Sequence, residues 1–286
     1  MASRTDRDCD GRLVVFDGGP SAPARAGSRT GKVWLVGAGP GDPELLTVKA
    51  VRVLAGAEVV VHDRLVSEAV LAMAAPGTRM IHVGKKKSQH SVPQDGINDL
   101  LTALALQGFQ VVRLKGGDPF MFGRGGEEML ACRAAGVEVE AVAGISAGMA
   151  ASAAAGAPLT HRGLAQAVTF VTGHVAAKAG EQWGEPDLDW AYLAKPNHTV
   201  VVYMGLTTAP AIAANLTAAG RAPQTPVLVV ENASLDYERR ILTTLAGLGA
   251  AVRVLQGPAI LIIGEVAALA DVQGVVDAAR TQWKRA

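Results

Sequence analysis

The chain has 286 residues, of which 49% are hydrophobic and 19% charged, and its formal net charge is +1 at pH 7. This composition is typical of a soluble globular protein with room for two domains, and it excludes a disordered chain. The near-neutral charge gives no sign of a nucleic acid or a membrane as partner, so any attraction for anions must come from local clusters.

The N-terminal segment 1–30 mixes Arg, Asp, Ser, Pro and Gly without periodicity, which predicts a flexible extension. No stretch has the pattern of a signal peptide or a membrane span, so we expect a cytoplasmic protein. The two cysteines, Cys9 and Cys132, are far apart and show no metal-ligand spacing. We therefore expect neither a disulfide framework nor a metal site.

From Lys32 on, short β-branched runs alternate with longer stretches whose apolar residues recur at helical spacing. The predicted strands of this half are 33–37, 58–63, 80–84, 111–117 and 137–144, and the clearest predicted helices are 43–57 and 97–108. Such alternation predicts a mainly parallel sheet covered on both faces, in an N-terminal α/β domain spanning 31–158.

The second half carries a further series of strand-like runs. They are 167–174, 199–205, 226–233, 240–245 and 259–266. Several follow one another too closely for an intervening helix, which predicts antiparallel pairs and hence a mixed sheet. We assign them to a C-terminal α/β domain, 159–286, after a Gly- and Pro-containing junction. Two α/β domains predict an active site in the cleft between them.

The loop GAGPGDP (37–43) follows the first strand, where ligands gather in open α/β sheets. It resembles the dinucleotide fingerprint G-x-G-x-x-G, but Asp42 stands at the third glycine and Pro40 lacks a backbone donor. A carboxylate would repel a pyrophosphate. Asp63, which ends the second strand, could still bind a ribose, so a nicotinamide dinucleotide stays open as an alternative.

A second loop of the same kind, LKGGDPFMFGRGGEE (114–128), again places Gly-Asp-Pro at the end of a strand. Two such loops predict a ligand with hydroxyls and a cation but no phosphate, which is the profile of S-adenosylmethionine. Both aspartates could instead cap helices, with Pro at the first helical position, and the two roles are compatible. The residues alone therefore predict a nucleoside-type ligand and no particular reaction.

The ordered motifs of the chain resemble those of the tetrapyrrole (class III) methylase family, and within it the uroporphyrinogen-III C-methyltransferases. The motifs are GAGPGDPELLTVKA, HDRLV, VGKKKSQHSVPQDGIN, VVRLKGGDPFMFGRGGEE, GAPLTHRGLAQAVTFVTGH, VVYMG and ILIIGEV. The resemblance implies a homodimeric methyltransferase that uses S-adenosyl-L-methionine, releases S-adenosyl-L-homocysteine and converts uroporphyrinogen III to precorrin-2, in porphyrin, siroheme or cobalamin biosynthesis. A methylase of a later precorrin is the alternative.

The resemblance also implies a set of site residues. The cofactor contacts would be Pro40, Gly116, Gly117, Asp118, Met121, Ser146, Ala147, Met204 and Ala233. Asp63 would be the proton acceptor and Lys85 the proton donor, while Arg124, Glu127 and Arg162 would bind or activate the tetrapyrrole. The chain departs from the family pattern at three positions: His62 replaces tyrosine, Ser146 stands where threonine is common, and Ala233 where glycine is common.

A substrate with many carboxylates needs local positive charge, and the sequence offers a set of basic residues for it. They are Lys85, Lys86, Lys87, Arg113, Lys115, Arg124, His161 and Arg162, all of which we expect in loops at strand ends. The planar guanidinium of arginine suits bidentate binding of carboxylates. Because arginine is almost never neutral, we assign Arg124 to clamping the substrate and stabilising charge rather than to the role of base.

Overall fold

The computed structural model describes residues 30–84, 93–174 and 186–272, and the chain divides into two compact units between Ser146 and Ala147. The predicted extension 1–30 lies outside the described residues except for Thr30. The domain ranges 31–158 and 159–286 stay a prediction. Within the described ranges, no helix combines the length and the apolar character that crossing a membrane requires.

The first unit is a parallel five-stranded sheet flanked by helices. Its strands are β1 (Lys32–Gly37), β2 (Val59–His62), β3 (Arg79–His82), β4 (Gln110–Lys115) and β5 (Glu138–Val142). Its helices are α1 (Val48–Ala55), α2 (Glu68–Leu71), α3 (Gln94–Leu106) and α4 (Gly125–Ala134), with a 3-10 helix at Pro43–Leu45. The sheet order is β3-β2-β4-β1-β5 and all neighbours are parallel, which confirms the predicted parallel sheet.

The central strands β2 and β4 are buried on both faces, which explains why β2 reads as a continuous apolar run and β4 nearly so. Along β4, Val111 belongs to the layer formed with α3 and α4, whereas Val112 and Leu114 belong to the layer formed with α1 and α2. Because side chains alternate along a strand, Arg113 and Lys115 share the face of Val111. Two charged side chains therefore continue the apolar layer beneath α3 and α4.

The strand order places a topological switch point between β1 and β4. The chain passes from β1 to β2 toward one edge of the sheet, and from β4 to β5 toward the other. The loops that follow β1 and β4 therefore start side by side at the carboxyl end of the sheet and lead toward opposite edges. Ligands of open α/β sheets bind at this kind of position.

The second unit is built on a mixed five-stranded sheet. Its strands are β6 (Ala167–Thr172), β7 (His198–Tyr203), β8 (Pro226–Glu231), β9 (Arg239–Thr244) and β10 (Ala259–Ile263). Its helices are α5 (Ala147–Ala154), α6 (Trp190–Leu193), α7 (Ala209–Ala218) and α8 (Leu245–Ala251), with 3-10 helices at Val252–Val254 and Glu265–Leu269. The order is β6-β7-β10-β8-β9; only β6 and β7 pair in parallel, which confirms the predicted mixed sheet.

Because β10 runs opposite to both β7 and β8, the strands β6, β7 and β8 all finish at the same end of the second sheet. The opposite end of the sheet, where these three strands begin, carries a charge pair. Arg221, 5% exposed, donates to the carboxylate of Glu265 at 2.9 and 3.1 Å and to the carbonyl of His198 at 3.3 Å. Arg221 and Glu265 thus join the start of β7 to the segment after β10, at the end of the sheet opposite to the one where β6, β7 and β8 finish.

Two buried histidines predict a loss of stability in acid. Burial lowers the pKa of His62 and of His198 below the ordinary value of 6.5. As the pH falls below about 6.5, the unfolded chain binds protons before the folded one, so the free energy of unfolding decreases. We expect the melting temperature to drop between about pH 7.5 and 5.5, and His198→Gln to flatten part of that slope. Parallel curves for the variant and the wild type would contradict this origin.

Candidate functional site

The two Gly-Asp-Pro loops lie side by side at the switch point of the first sheet. The amide of Gly39 donates to the carbonyl of Gly117 at 3.1 Å, and the amide of Gly117 donates back to Gly39 at 2.7 Å. The amide of Ala38 bonds to the carbonyl of Lys115 at 2.7 Å. The structure thus brings the loop of Pro40 together with the segment from Gly116 to Asp118, which sequence alone had only related by their likeness.

A third loop, after β5, packs against this pair through glycine backbone. A Cβ atom on Gly144 would lie 2.2 Å from the carbonyl oxygen of Gly117 and 2.7 Å from the Cα atom of Gly37. A Cβ on Gly37 would lie 2.5 Å from the Cα atom of Gly144. Three strand ends therefore meet at van der Waals distance between backbones, and only glycine fits at their junction.

The aspartates of both loops accept backbone hydrogen bonds. Asp118 accepts from the amide of Phe120 at 2.9 Å and, with its other oxygen, from the amide of Gly144 at 3.0 Å. Asp42 accepts from the amide of Glu44 at 2.9 Å, at the start of the 3-10 helix. Asp42 thus has the capping role that the sequence left open. A pyrophosphate bound at this helix start would meet its carboxylate. Asp118 instead fastens the second loop to the third.

Asp63 directly follows β2, and its side chain is 25% exposed. One carboxylate oxygen accepts from the amide of Leu65 at 2.9 Å, and the other lies 3.7 Å from Nη2 of Arg113. The neighbouring ring of His62 is buried against that of His82, with centroids 5.2 Å apart. Lys85, the proposed proton donor, lies outside the described residues.

A buried charge cluster lies next to Asp63. Oε1 of Glu128, a residue of α4 with no exposed surface, accepts from Nε of Arg113 at 3.1 Å and from Nζ of Lys115 at 3.0 Å. Nε2 of Gln94, from α3, donates to the same oxygen at 3.3 Å. Burial lowers the pKa of Lys115, and the charge of Arg113 lowers it further.

The prediction that Arg113 and Lys115 lie in loops is wrong. Both belong to β4, both are only 3% exposed, and their charges are met inside the unit by Glu128. The alternation of Val111, Arg113 and Lys115 could have shown that they share a buried face. Their partner on α4, thirteen residues beyond Lys115, gave no signal in the sequence.

Arg124 precedes α4 with a left-handed backbone, φ 58°, and pairs with Glu127. Its Nε and Nη2 atoms donate to the two carboxylate oxygens at 2.8 and 2.7 Å, and both side chains are about half exposed. The bonded carboxylate raises the pKa of Arg124. A guanidinium held in its charged form can bind an anion but cannot accept a proton. Met121, in the same loop, is half-buried.

In the second unit, the predicted site residues follow β7 and β8 at one edge of the sheet. Met204 has a left-handed backbone, φ 53°, and is 50% exposed. Ala233 lies between Asn232 and Ser234, which are both left-handed, with φ of 54° and 68°. Such conformations cost on the order of 1 kcal/mol each and concentrate at functional sites. With one strand between β7 and β8, the two segments lie about 10 Å apart.

The remaining predicted residues lie near the boundary between the units and after it. Ser146 is buried at the end of the first unit, and Ala147 begins α5. Arg162 is exposed in a turn, beside a shallow concavity of about 360 Å³. The residues that line this concavity are Thr160, His161, Arg162, Ala165 and Gln166.

Most of the chain matches known proteins in sequence. A family model described as tetrapyrrole (corrin/porphyrin) methylases matches residues 32–249. The uroporphyrinogen-III C-methyltransferase of Paracoccus denitrificans is 48% identical over 273 residues, 95% of this chain and 93% of that protein.

A further match is to a longer protein. The siroheme synthase of Chromobacterium violaceum is 47% identical over 250 residues, 87% of this chain but 52% of that protein. The chain thus spans about half the length of the siroheme synthases that it matches.

A solved structure, uroporphyrin-III C-methyl transferase from Thermus thermophilus complexed with S-adenyl homocysteine, superposes with a TM-score of 0.70. It is 46% identical to this chain, and the match covers 82% of this chain and 98% of that one. The resemblance carried by the sequence motifs is confirmed, and the chain belongs to the tetrapyrrole (corrin/porphyrin) methylase family.

Proposed function

We propose that the chain is an S-adenosylmethionine-dependent C-methyltransferase that converts uroporphyrinogen III to precorrin-2 by two successive methyl transfers. The observation that carries the proposal is the 48% identity of the chain, over 95% of its length, with the uroporphyrinogen-III C-methyltransferase of Paracoccus denitrificans. The paired loops at the switch point support it, because they suit a nucleoside without phosphates.

The hydrogen-bond acceptors of the first unit fit this cofactor. When bound, S-adenosylmethionine supplies an electrophilic methyl group on a sulfonium centre. Its ribose hydroxyls and its ammonium group need acceptors, and an ionised carboxylate has about four acceptor positions. Asp118 uses two of them for backbone amides, which leaves capacity for a ligand. We assign the cofactor contacts to Pro40, Gly116, Gly117, Asp118, Met121 and Ser146 of the first unit, and to Ala147, Met204 and Ala233 of the second.

The chemistry at the tetrapyrrole requires that a proton leaves: each methyl group is transferred as a cation equivalent from the sulfonium to a ring carbon, and the macrocycle balances the new bond by losing one proton, such as that of a pyrrole nitrogen. We assign Asp63 as the acceptor, since its half-buried carboxylate is held in place by the amide of Leu65 and by Arg113. Lys85 is assigned as the proton donor from the family resemblance. Arg124, oriented by Glu127, and Arg162 carry guanidinium groups that bind carboxylates of the substrate.

The direct test is an anaerobic incubation with uroporphyrinogen III and S-adenosylmethionine labelled in the methyl group. We expect two labelled methyl groups in each tetrapyrrole product. A product without label would reject the proposal. Faster methylation of a later precorrin in a competition assay would instead favour the alternative substrate, and any turnover would exclude a module that only binds the cofactor.

Replacing Asp118 with alanine tests the cofactor site. The variant loses the bond from the amide of Phe120 within the second loop and the bond from the amide of Gly144 that holds this loop to the third. Each lost bond to a charged acceptor costs about 1–3 kcal/mol, so we expect the affinity for S-adenosylhomocysteine to fall at least about tenfold in calorimetry. Tetrapyrrole binding should change less. Asp189→Ala removes a similar cap, the bond to the amide of Tyr192, and serves as the control; equal losses in both variants would contradict the assignment.

We also propose that the protein acts as a homodimer in the cytoplasm, as the resemblance implies. Light scattering should then give twice the mass of the 29.4 kDa chain. Cell fractionation would test the location.

A further inference from the structure

One carboxylate oxygen links three elements of the first unit. Oε1 of Glu128, on α4, accepts from two residues of β4, Arg113 at 3.1 Å and Lys115 at 3.0 Å, and from Gln94 on α3 at 3.3 Å. Glu128 has no exposed surface. A buried charge is tolerated when it is paired and hydrogen-bonded, and this one is met by two cations.

Arg113 extends this network to the end of β2. Its Nη1 atom donates to the carbonyl of Leu114 at 3.0 Å, and its Nη2 atom lies 3.7 Å from the carboxylate of Asp63. The hydrogen bond that Asp63 accepts, from the amide of Leu65, lies within its own loop. The ion pair with Arg113 is the contact that joins the Asp63 carboxylate to a side chain of β4.

We propose that Glu128 is a positioning residue for Asp63: by fixing the guanidinium of Arg113, it sets where the Asp63 carboxylate stands at the carboxyl edge of the first sheet. The inference rests on the proposed function, in which Asp63 accepts a proton from the tetrapyrrole. The four charged groups Arg113, Lys115, Glu128 and Asp63 balance to zero, so the network holds Asp63 without leaving a buried charge uncompensated.

The network acts on Asp63 more than on the cofactor loop, because that loop has anchors of its own. Gly117 pairs with Gly39, and Asp118 bonds to the amides of Phe120 and Gly144. Disturbing Glu128 should therefore lower kcat while the affinity for S-adenosylhomocysteine changes little. If Glu128 served stability alone, its replacement would lower the melting temperature but would not lower kcat selectively over the affinity for S-adenosylhomocysteine.

The test is a double-mutant cycle between Glu128→Gln and Asp63→Asn. The glutamine keeps an acceptor oxygen but loses the charge that holds Arg113. We expect Glu128→Gln to lower kcat roughly 10–100-fold in the wild-type background, since small misplacements of reacting groups cost this much. In the Asp63→Asn background the same change should cost less than about threefold, because residues that act as a unit are not additive. Equal costs in both backgrounds would overturn the proposal.

Two further variants keep the test decisive. Glu265→Gln breaks the comparable pair with Arg221 at the far edge of the second sheet and should leave kcat unchanged. If Glu128→Gln does not fold, the double variant Glu128→Gln/Lys115→Met restores the charge balance. We expect this double variant to recover melting temperature but not kcat; recovery of both would assign Glu128 a stabilising role only.

A readout without substrate separates this inference from the proposed function. The side-chain carboxyl ¹³C resonance of Asp63, in the ligand-free protein, should shift in Glu128→Gln and stay in place in Glu265→Gln. An unmoved resonance would overturn the positioning role whatever the reaction is. Absence of methyl transfer by the wild-type protein, with a shifted resonance, would overturn the proposed function and leave the positioning role intact.

Discussion

Replacing Asp63 with asparagine should lower kcat for methyl transfer by about 10²–10⁴-fold, the usual contribution of general acid–base catalysis. The amide keeps an oxygen for the bond with the amide of Leu65, so the loop should stay folded. It cannot accept a proton, however, and its contact with Arg113 loses the attraction between opposite charges. Single-turnover kinetics with saturating S-adenosylmethionine would measure the loss directly.

The matched control is Asp189→Asn, which makes the same chemical change at a carboxylate that caps α6 in the second unit. We expect kcat to stay within about twofold of the wild type there, because asparagine caps a helix about as well as aspartate does. The affinity of Asp63→Asn for S-adenosylhomocysteine should also stay near that of the wild type. Turnover by Asp63→Asn at the rate of the control would remove Asp63 from the mechanism.

The second large effect is expected at the junction of the three glycine loops. In Gly144→Ala, the new methyl group would stand 2.2 Å from the carbonyl oxygen of Gly117 and 2.7 Å from Cα of Gly37, and both obstacles are backbone. Relief requires the strand ends to separate, at a cost of about 3 kcal/mol or more. For a unit of this size, that corresponds to a decrease of roughly 6–12 °C in melting temperature.

Gly126→Ala provides the comparison for this prediction. Gly126 lies within α4, and an added Cβ would meet no atom within 4 Å. Alanine in a helix is favoured over glycine by about 0.5–1 kcal/mol, so this variant should melt at or above the wild-type temperature. Similar melting curves for the two variants would show that the loops have room to separate.

The sequence predicted the architecture well where the physical signal was local. Continuous apolar runs such as that of β2 indicated strands buried on both faces, and the short spacing around β8 and β9 indicated antiparallel pairing. The glycines and Asp-Pro pairs at 41–43 and 117–119 indicated tight turns after the strands, because turns and caps depend on residues close in sequence. The bonds between those two loops needed the strand order, which no local pattern contains.

The buried charges show where such inference fails. A sequence presents Arg113 and Lys115 as cations, and cations are usually exposed. Their burial depends on Glu128, which the fold brings onto the same layer from a separate helix. The left-handed backbone at Met204, Asn232 and Ser234 was equally hidden, because the strain at such positions is imposed by the surrounding structure rather than by residue type.

The meeting of Gly37, Gly117 and Gly144 has a consequence for how such a protein can diverge. The junction is made of main-chain atoms alone, so no side chain there can be exchanged to retune the ligand. We expect changes of specificity to arise farther out along the second loop, at positions such as Phe120 and Phe122, whose side chains are exposed. A main-chain junction that stays constant, with variable exposed side chains around it, would let related proteins keep the same reaction while their substrates change.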